Sequence, residues 1–455
     1  MNIARLQEIV GKDWVITARD QMESYLIDET AQAVRPKPAD DVIVVKPANS
    51  REIAAILKLA NEESSPIFVR GGGTGLCGGA MPTVNSTVLS MERLDKVIEV
   101  DKDNLMVVVE AGVTLETMLK SVEDAGLFFP PHPGDEGAQV GGLVACNAGG
   151  ARAVRYGVIR NYVKGLEVVL PSGELIDLGG KLIKNNQGLD LLQLLIHSEG
   201  ILGIITKVIF RLYPKVNSSG TMVISYNNRR DAMESVPKIL RSGVIPLAIE
   251  YVDRTVIEIS SDYLGLKWPA TQGNSYLIVI VTGANDDEVY QQAEQVSDIC
   301  GECNSVDTLI AERKEEQADI LKIRSEIYSA MKNKTADILD ITVPPNSVGE
   351  IMDRIDNIAR RFNTIIPMYG HAGDGNFHPH LMNDLQSKGK VREVKRELYK
   401  EAIKLGGVIT GEHGIGVIRI ADLDLCPETK SWALMRGIKR TFDPNNILNP
   451  GVAIP

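Results

Sequence analysis

The stretch "GHAGDGNFHPH", residues 370–380, holds three of the chain's six histidines. Imidazoles so concentrated around an Asp-Gly dipeptide have the make-up of a metal or acid–base site. If Asp374-Gly375 is a two-residue hairpin turn, then "IIPMYGHA" and "FHPHLM" are its strands, and His371 faces His378. Opposed residues have Cβ atoms roughly 4.5–5.5 Å apart, close enough for two imidazoles to hold one divalent ion. His380 shares that face, two residues further on. The remaining C-terminal histidine, His413, lies in "GEHGIG", where Glu412 adds a carboxylate. His371, His378 and Glu412 thus make a candidate site for zinc, iron or manganese, with His413 left for acid–base work. The plainer alternative is a hairpin whose histidines hydrogen-bond in a core.

Other elements must bring these segments together. The chain has 455 residues, too many for one ordinary core, so two or three domains are expected. The boundaries read as 1–217, 218–405 and a closing segment 406–455. In the first part "DVIVVKP" reads as a strand, "SREIAAILKLANEE" as a helix capped by Ser50, and "SPIFVR" as a strand running into "GGGTGLCGGAMP". A second glycine-rich passage, "PPHPGDEGAQVGGLVACNAGG", precedes a hairpin turning at Ser172-Gly173. From about Ser218 strands alternate with amphipathic helices over 285–299, 310–333, 348–362 and 388–405, a pattern expected of an antiparallel sheet with helices on one face. The fold class is α+β.

Composition removes whole classes of function. A net charge of −11 argues against nucleic acid as partner, and no run reaches the roughly 20 apolar residues of a membrane span. An N-terminus without a signal-like apolar segment and an odd count of five cysteines fit a cytoplasmic protein. Cys300 and Cys303 form a CxxC without a second one to complete a four-thiolate site, so both read as structural.

"GTGLCG" at 73–78 matches GxGxxG, yet a dinucleotide fingerprint needs a helix to open directly after it. Here Gly78, Gly79 and Pro82 lead into the strand-like "STVLSM", which disfavours a nicotinamide-binding domain. Consecutive glycines after a strand still form a nest of amides for phosphate oxygens.

The motifs "RGGGTGL", "GGLVACNAGG", "YGVIRNYVKGLEVVL", "SEGILGIITKV", "GHAGDGNFH", "GEHGIG" and "NPG", in this order, resemble the FAD-linked 2-hydroxy acid dehydrogenases, which include the glycolate oxidase D subunit, D-lactate dehydrogenases and D-2-hydroxyglutarate dehydrogenase. The resemblance implies a vanillyl-alcohol-oxidase-type (PCMH) FAD domain closed by an α+β cap, its last segment returning to the flavin. It puts FAD on Arg70, Gly71, Gly72, Gly73, Thr74 and Gly75, then on Pro133, Gly134, Gly141, Gly142, Asn147 and Gly150, with Ile205 and Asn449 nearer the ring. No histidine stands between 66 and 82, so the FAD is expected to be non-covalent. Cys77 reads as a small apolar filler. The resemblance assigns the same metal ligands, His371, His378 and Glu412, and implies His413 as base.

The substrate anchor is read from "AERKEEQADILKIRSEIYSAMKNK". Arg324 interrupts an apolar stripe of Ile320, Ile327 and Met331, so its guanidinium must meet an anion. From the residues alone that anion is a protein carboxylate or a ligand; the resemblance favours substrate. His380 stands where the hydroxyglutarate branch has asparagine, which favours a short acid, D-lactate first and glycolate second. Relatives often carry lysine just beyond "GEHGIG", where this chain has Arg419. Electrons would leave to a quinone, an iron–sulfur subunit or an electron-transferring flavoprotein, the last making this one subunit of a larger complex, of which a bifurcating one is an alternative. From a different class, the chain could hold flavin as an inactive structural subunit; the complete histidine and glutamate set argues against that.

Overall fold

The computed structural model describes every residue except 216, 312 and 428. The first part is built on two sheets. A mixed four-stranded sheet runs in the order Val15–Ile16, Val42–Val45, Ser86–Ser90, Ile67–Arg70, its last three strands parallel. Helix Ser50–Glu62 makes the crossover, and its N-cap is Asn49, whose extended backbone lets the side chain accept from Glu52 N. The expected cap, Ser50, is instead the first helical residue. An antiparallel five-stranded sheet follows, in the order Val97–Asp101, Met106–Glu110, Ile204–Arg211, Val163–Val169, Leu175–Gly179. The second glycine passage is not all loop, since Val140–Cys146 forms a short helix packed on Ile204–Arg211. One core joins both sheets and takes in Ile447, Leu448 and Val452 from the chain's end.

The second part is an antiparallel sheet ordered Asp307–Ala311, Ser218–Tyr226, Ser275–Gly283, Ala248–Asp253, Met368–His371, Asn376–Met382, Thr335–Ile338, with Ile341–Thr342 also pairing Asn376–Met382. Helices cover both faces of it, against the single covered face read from the sequence. Arg229–Arg241, Asp286–Gly301, Val348–Arg361 and Val391–Lys404 pack on one side; Arg254–Leu264, Lys314–Ser325 and Ile327–Met331 pack on the other. The reason lies in strands such as Ala248–Asp253, buried at every residue, which have no polar face to offer water. The expected helix over 310–333 begins only at Lys314 and breaks at Glu326; Glu312, inside that range, is outside the described residues. Ile409 and Leu423 pack with this second core, while Val417 between them already packs against the first, which Ile447, Leu448 and Val452 join further along. Among the described residues no helix is long and apolar enough to cross a membrane.

Candidate active site

The histidine hairpin forms, with a different register. Residues 372–374 make a turn of 3-10 helix and Gly375 closes it at φ +78°, while the Asp374 carboxylate accepts from Asn376 N at 3.3 Å. The longer turn pairs His371 with Asn376 and Tyr369 with His378, so the predicted His371–His378 pairing is corrected by two residues. A shift of two keeps every side chain on its face. His371 and His378 are therefore diagonal neighbours, ring centroids 5.4 Å apart.

The "GEHGIG" loop completes the cluster. Glu412 Oε1 lies 3.3 Å from His371 Nε2 and 3.3 Å from His378 Nε2. His413 stacks on His378 at 4.8 Å, 10° from parallel, its Nε2 3.9 Å from Glu412 Oε1. A second grouping of donor atoms, Asp340, His378, Glu412 and His413, falls within 4.8 Å. Asp340 is a poor ligand there because its oxygens are already used: Oδ2 accepts from Thr410 Oγ1 and from the amides of Gly411, Glu412 and His413, and Oδ1 accepts from Asn376. His371, His378 and Glu412 offer two imidazoles and a carboxylate, donor chemistry that fits a divalent metal.

Two buried acids absent from the sequence reading hold this geometry. Asp340, fully enclosed, fastens the loop. Glu250, directly across the sheet from His371, receives His371 Nδ1 at 2.7 Å on one oxygen and Arg324 Nη2 at 2.5 Å on the other. Arg324 thus has the protein-carboxylate partner that was one of its two sequence readings. Its guanidinium also lies 4.6 Å over the Tyr369 ring, and its Nε has no hydrogen-bond partner among the described residues. The signal was an acid inside a mostly apolar run, Glu250 in "LAIEYV" and Asp340, with Asp337, in "ADILDITV".

Electrostatics follow from burial and pairing. Burial alone would lower the His371 pKa, yet Glu250 and Glu412 on either side raise it well above its ordinary value. His413 is pushed down to about 4, since burial, His378 and Arg419 outweigh the pull of Asp340. His413 is therefore neutral at neutral pH and able to accept a proton. Burial pushes Asp374 up to about 7.

The glycine passages meet beneath this cluster. A Cβ on Gly71 would touch Gln139, and one on Gly72 would lie 2.9 Å from Gly137 O. Among the described residues the amides of Gly71, Gly72, Gly73, Thr74 and Gly75 donate to no acceptor in the chain, a run of donors suited to pyrophosphate. No helix opens after them; the next element is strand Ser86–Ser90. Arg70 is buried, its Nη1 on Ile27 O at 2.7 Å. Pro133 is buried and Gly134 exposed, Gly142 faces open space and Gly141 abuts Ala111. Gly150 sits at φ +127°. Asn147 caps its helix and accepts from Arg160 N at 3.0 Å. Ile205 is buried on the strand under that helix. Asn449 has both ends of its amide engaged, accepting from Val69 N and donating to Glu199 O. Glu199 in turn accepts from Ile415 N and Gly416 N, and a Cβ on Gly149 would strike Glu412. The cradle and the histidine cluster are therefore one contiguous site.

Residues 42–179 match the FAD binding domain and residues 215–453 the FAD linked oxidases, C-terminal domain. The chain belongs to the FAD-linked oxidases. FAD is accordingly its cofactor. The D-lactate dehydrogenase of Archaeoglobus fulgidus is 42% identical, over 95% of this chain and 96% of that one. The glycolate oxidase subunit GlcD of Bacillus subtilis is 37% identical, over 90% and 88%. Among solved structures, 4-ethylphenol oxidase from Gulosibacter chungangensis covers 99% of this FAD-linked oxidase and 96% of its own chain with a TM-score of 0.79 at 19% identity. p-Cresol methylhydroxylase covers 99% and 96% with a TM-score of 0.79 at 18%. The family's PCMH-type fold, α+β throughout, is this chain's fold.

Proposed function

We propose that this FAD-linked oxidase oxidises a short D-2-hydroxy acid, D-lactate to pyruvate in first place. FAD, when bound, supplies the hydride acceptor, and a divalent metal on His371, His378 and Glu412 supplies a Lewis acid for the hydroxyl. The observation that carries the reading is the convergence of those three residues and His413 at the edge of the glycine cradle, where Gly149 abuts Glu412.

Arg324 binds the substrate carboxylate through the part of its guanidinium that Glu250 leaves unengaged. His413 takes the hydroxyl proton at Nε2. Asp340 lies on the Nδ1 side, 4.0 Å away, which favours a proton on Nδ1 and a lone pair on Nε2, and it steadies the imidazolium that forms. His380 is fully enclosed, with Nδ1 2.8 Å from Thr335 Oγ1. It stands where the hydroxyglutarate branch has asparagine, and the short acid rests on that difference. Glycolate, one methyl smaller, is the second reading, favoured by the likeness to a glycolate oxidase subunit. The electrons pass to a separate acceptor, a quinone, an iron–sulfur subunit or an electron-transferring flavoprotein, and the FAD is held non-covalently. The odd count of five cysteines supports a cytoplasmic setting.

The test is an anaerobic titration of the metal-replete protein with D-lactate, L-lactate, glycolate and D-2-hydroxyglutarate, followed by the oxidised-flavin absorption. Bleaching by D-lactate is the expected outcome. Flavin that ignores all four acids while dithionite still reduces it would overturn the proposal.

A further inference from the structure

We propose that Glu250 is a positioning residue that aims both the metal-binding edge of His371 and the substrate arginine, Arg324; this rests on the function proposed above. Glu250 is 2% exposed, in a strand buried at every residue. A carboxylate in such a strand is destabilising unless each oxygen is compensated. Each oxygen is, and by a residue of the reacting site. Oε1 lies 2.7 Å from His371 Nδ1, which holds a proton on Nδ1 and aims the Nε2 edge toward Glu412 and His378. A carboxylate behind a ligating imidazole also raises its basicity toward a metal. Oε2 lies 2.5 Å from Arg324 Nη2, on the opposite side of the same carboxylate. Among the described residues no second acidic side chain pairs with Arg324, so Glu250 and the Tyr369 ring beneath it define where the guanidinium sits. One side chain therefore sets the distance between metal and carboxylate anchor.

Glu250→Gln retains the shape and an acceptor for His371 but turns an amide toward Arg324. The FAD-loaded protein, stripped by chelator, is titrated with Mn2+, and KM and kcat for D-lactate are measured at saturating Mn2+. The expected result is Mn2+ affinity reduced about 10- to 100-fold, with KM raised more than kcat is lowered and FAD content per chain unchanged. Glu250→Asp keeps the charge on a shorter arm, and an intermediate loss in both quantities is expected. It also serves as the scored variant if the glutamine form does not hold FAD. Wild-type Mn2+ affinity and KM in the folded variant would overturn the role of Glu250 alone. A wild-type protein that takes up no Mn2+ would instead bring down the underlying functional reading, and this inference with it.

Discussion

At the scale of single residues, the proposed reacting groups are those whose chemistry is stated by type and neighbourhood. His371, His378, Glu412 and His413 were legible because glycines and turn residues surround them in two short motifs. His413→Ala is expected to slow flavin reduction about 100- to 10,000-fold, the usual contribution of a positioned base, with FAD still bound. Stopped-flow reduction at the wild-type rate would refute the assignment. Arg324→Met should raise KM for the acid with a smaller change in kcat, and steady-state kinetics at saturating metal would show it. The supporting acids Glu250 and Asp340 escaped the reading. An acid in a mostly apolar run looks like an interruption until its partners, 121 and 73 residues away, are placed.

Elements decide which residues share a face. Alternation along the hairpin strands settles that His371, His378 and His380 lie together, and any even shift preserves it. The register itself depends on the turn. Asp374 bonding to Asn376 and Gly375 in a left-handed conformation make a four-residue connection where two residues were expected. The same dependence on contacts explains the sheet, whose helix-covered second face could not be told from a solvated one by strand and helix spacing alone. Asp340 is the element-scale keystone, because its Oδ2 gathers four donors from Thr410 to His413. Asp340→Ala leaves those donors without an acceptor and should cost about 3–5 kcal/mol. Chemical denaturation would measure this, and a loss under about 1 kcal/mol would contradict the account.

Across the whole molecule, the two parts are joined at the site itself. Glu199 from the first part receives the amides of Ile415 and Gly416, and Cys77 in the first glycine loop meets Arg419, with its Sγ 3.1 Å from His413 O. Cys77, read as an apolar filler, is buried as that reading requires, but it is also a polar contact between loop and cap. Glu199→Ala should loosen "GEHGIG" from the flavin cradle. We expect faster proteolysis within 411–416 and a stability loss of about 2–4 kcal/mol from two charged hydrogen bonds; an unchanged digestion pattern would argue against Glu199 as the tie.

What the sequence determined by itself was the chemistry on offer and the fold class. Residue type, two-residue alternation and glycine spacing are local properties that survive any arrangement of the rest. Only the tertiary structure decided that Glu412 would meet both histidines, that Arg324 would be shared with Glu250, and that the glycine passages would close against the cap. Those are distances between segments tens to hundreds of residues apart, set by the packing of the cores and sheets rather than by any local pattern.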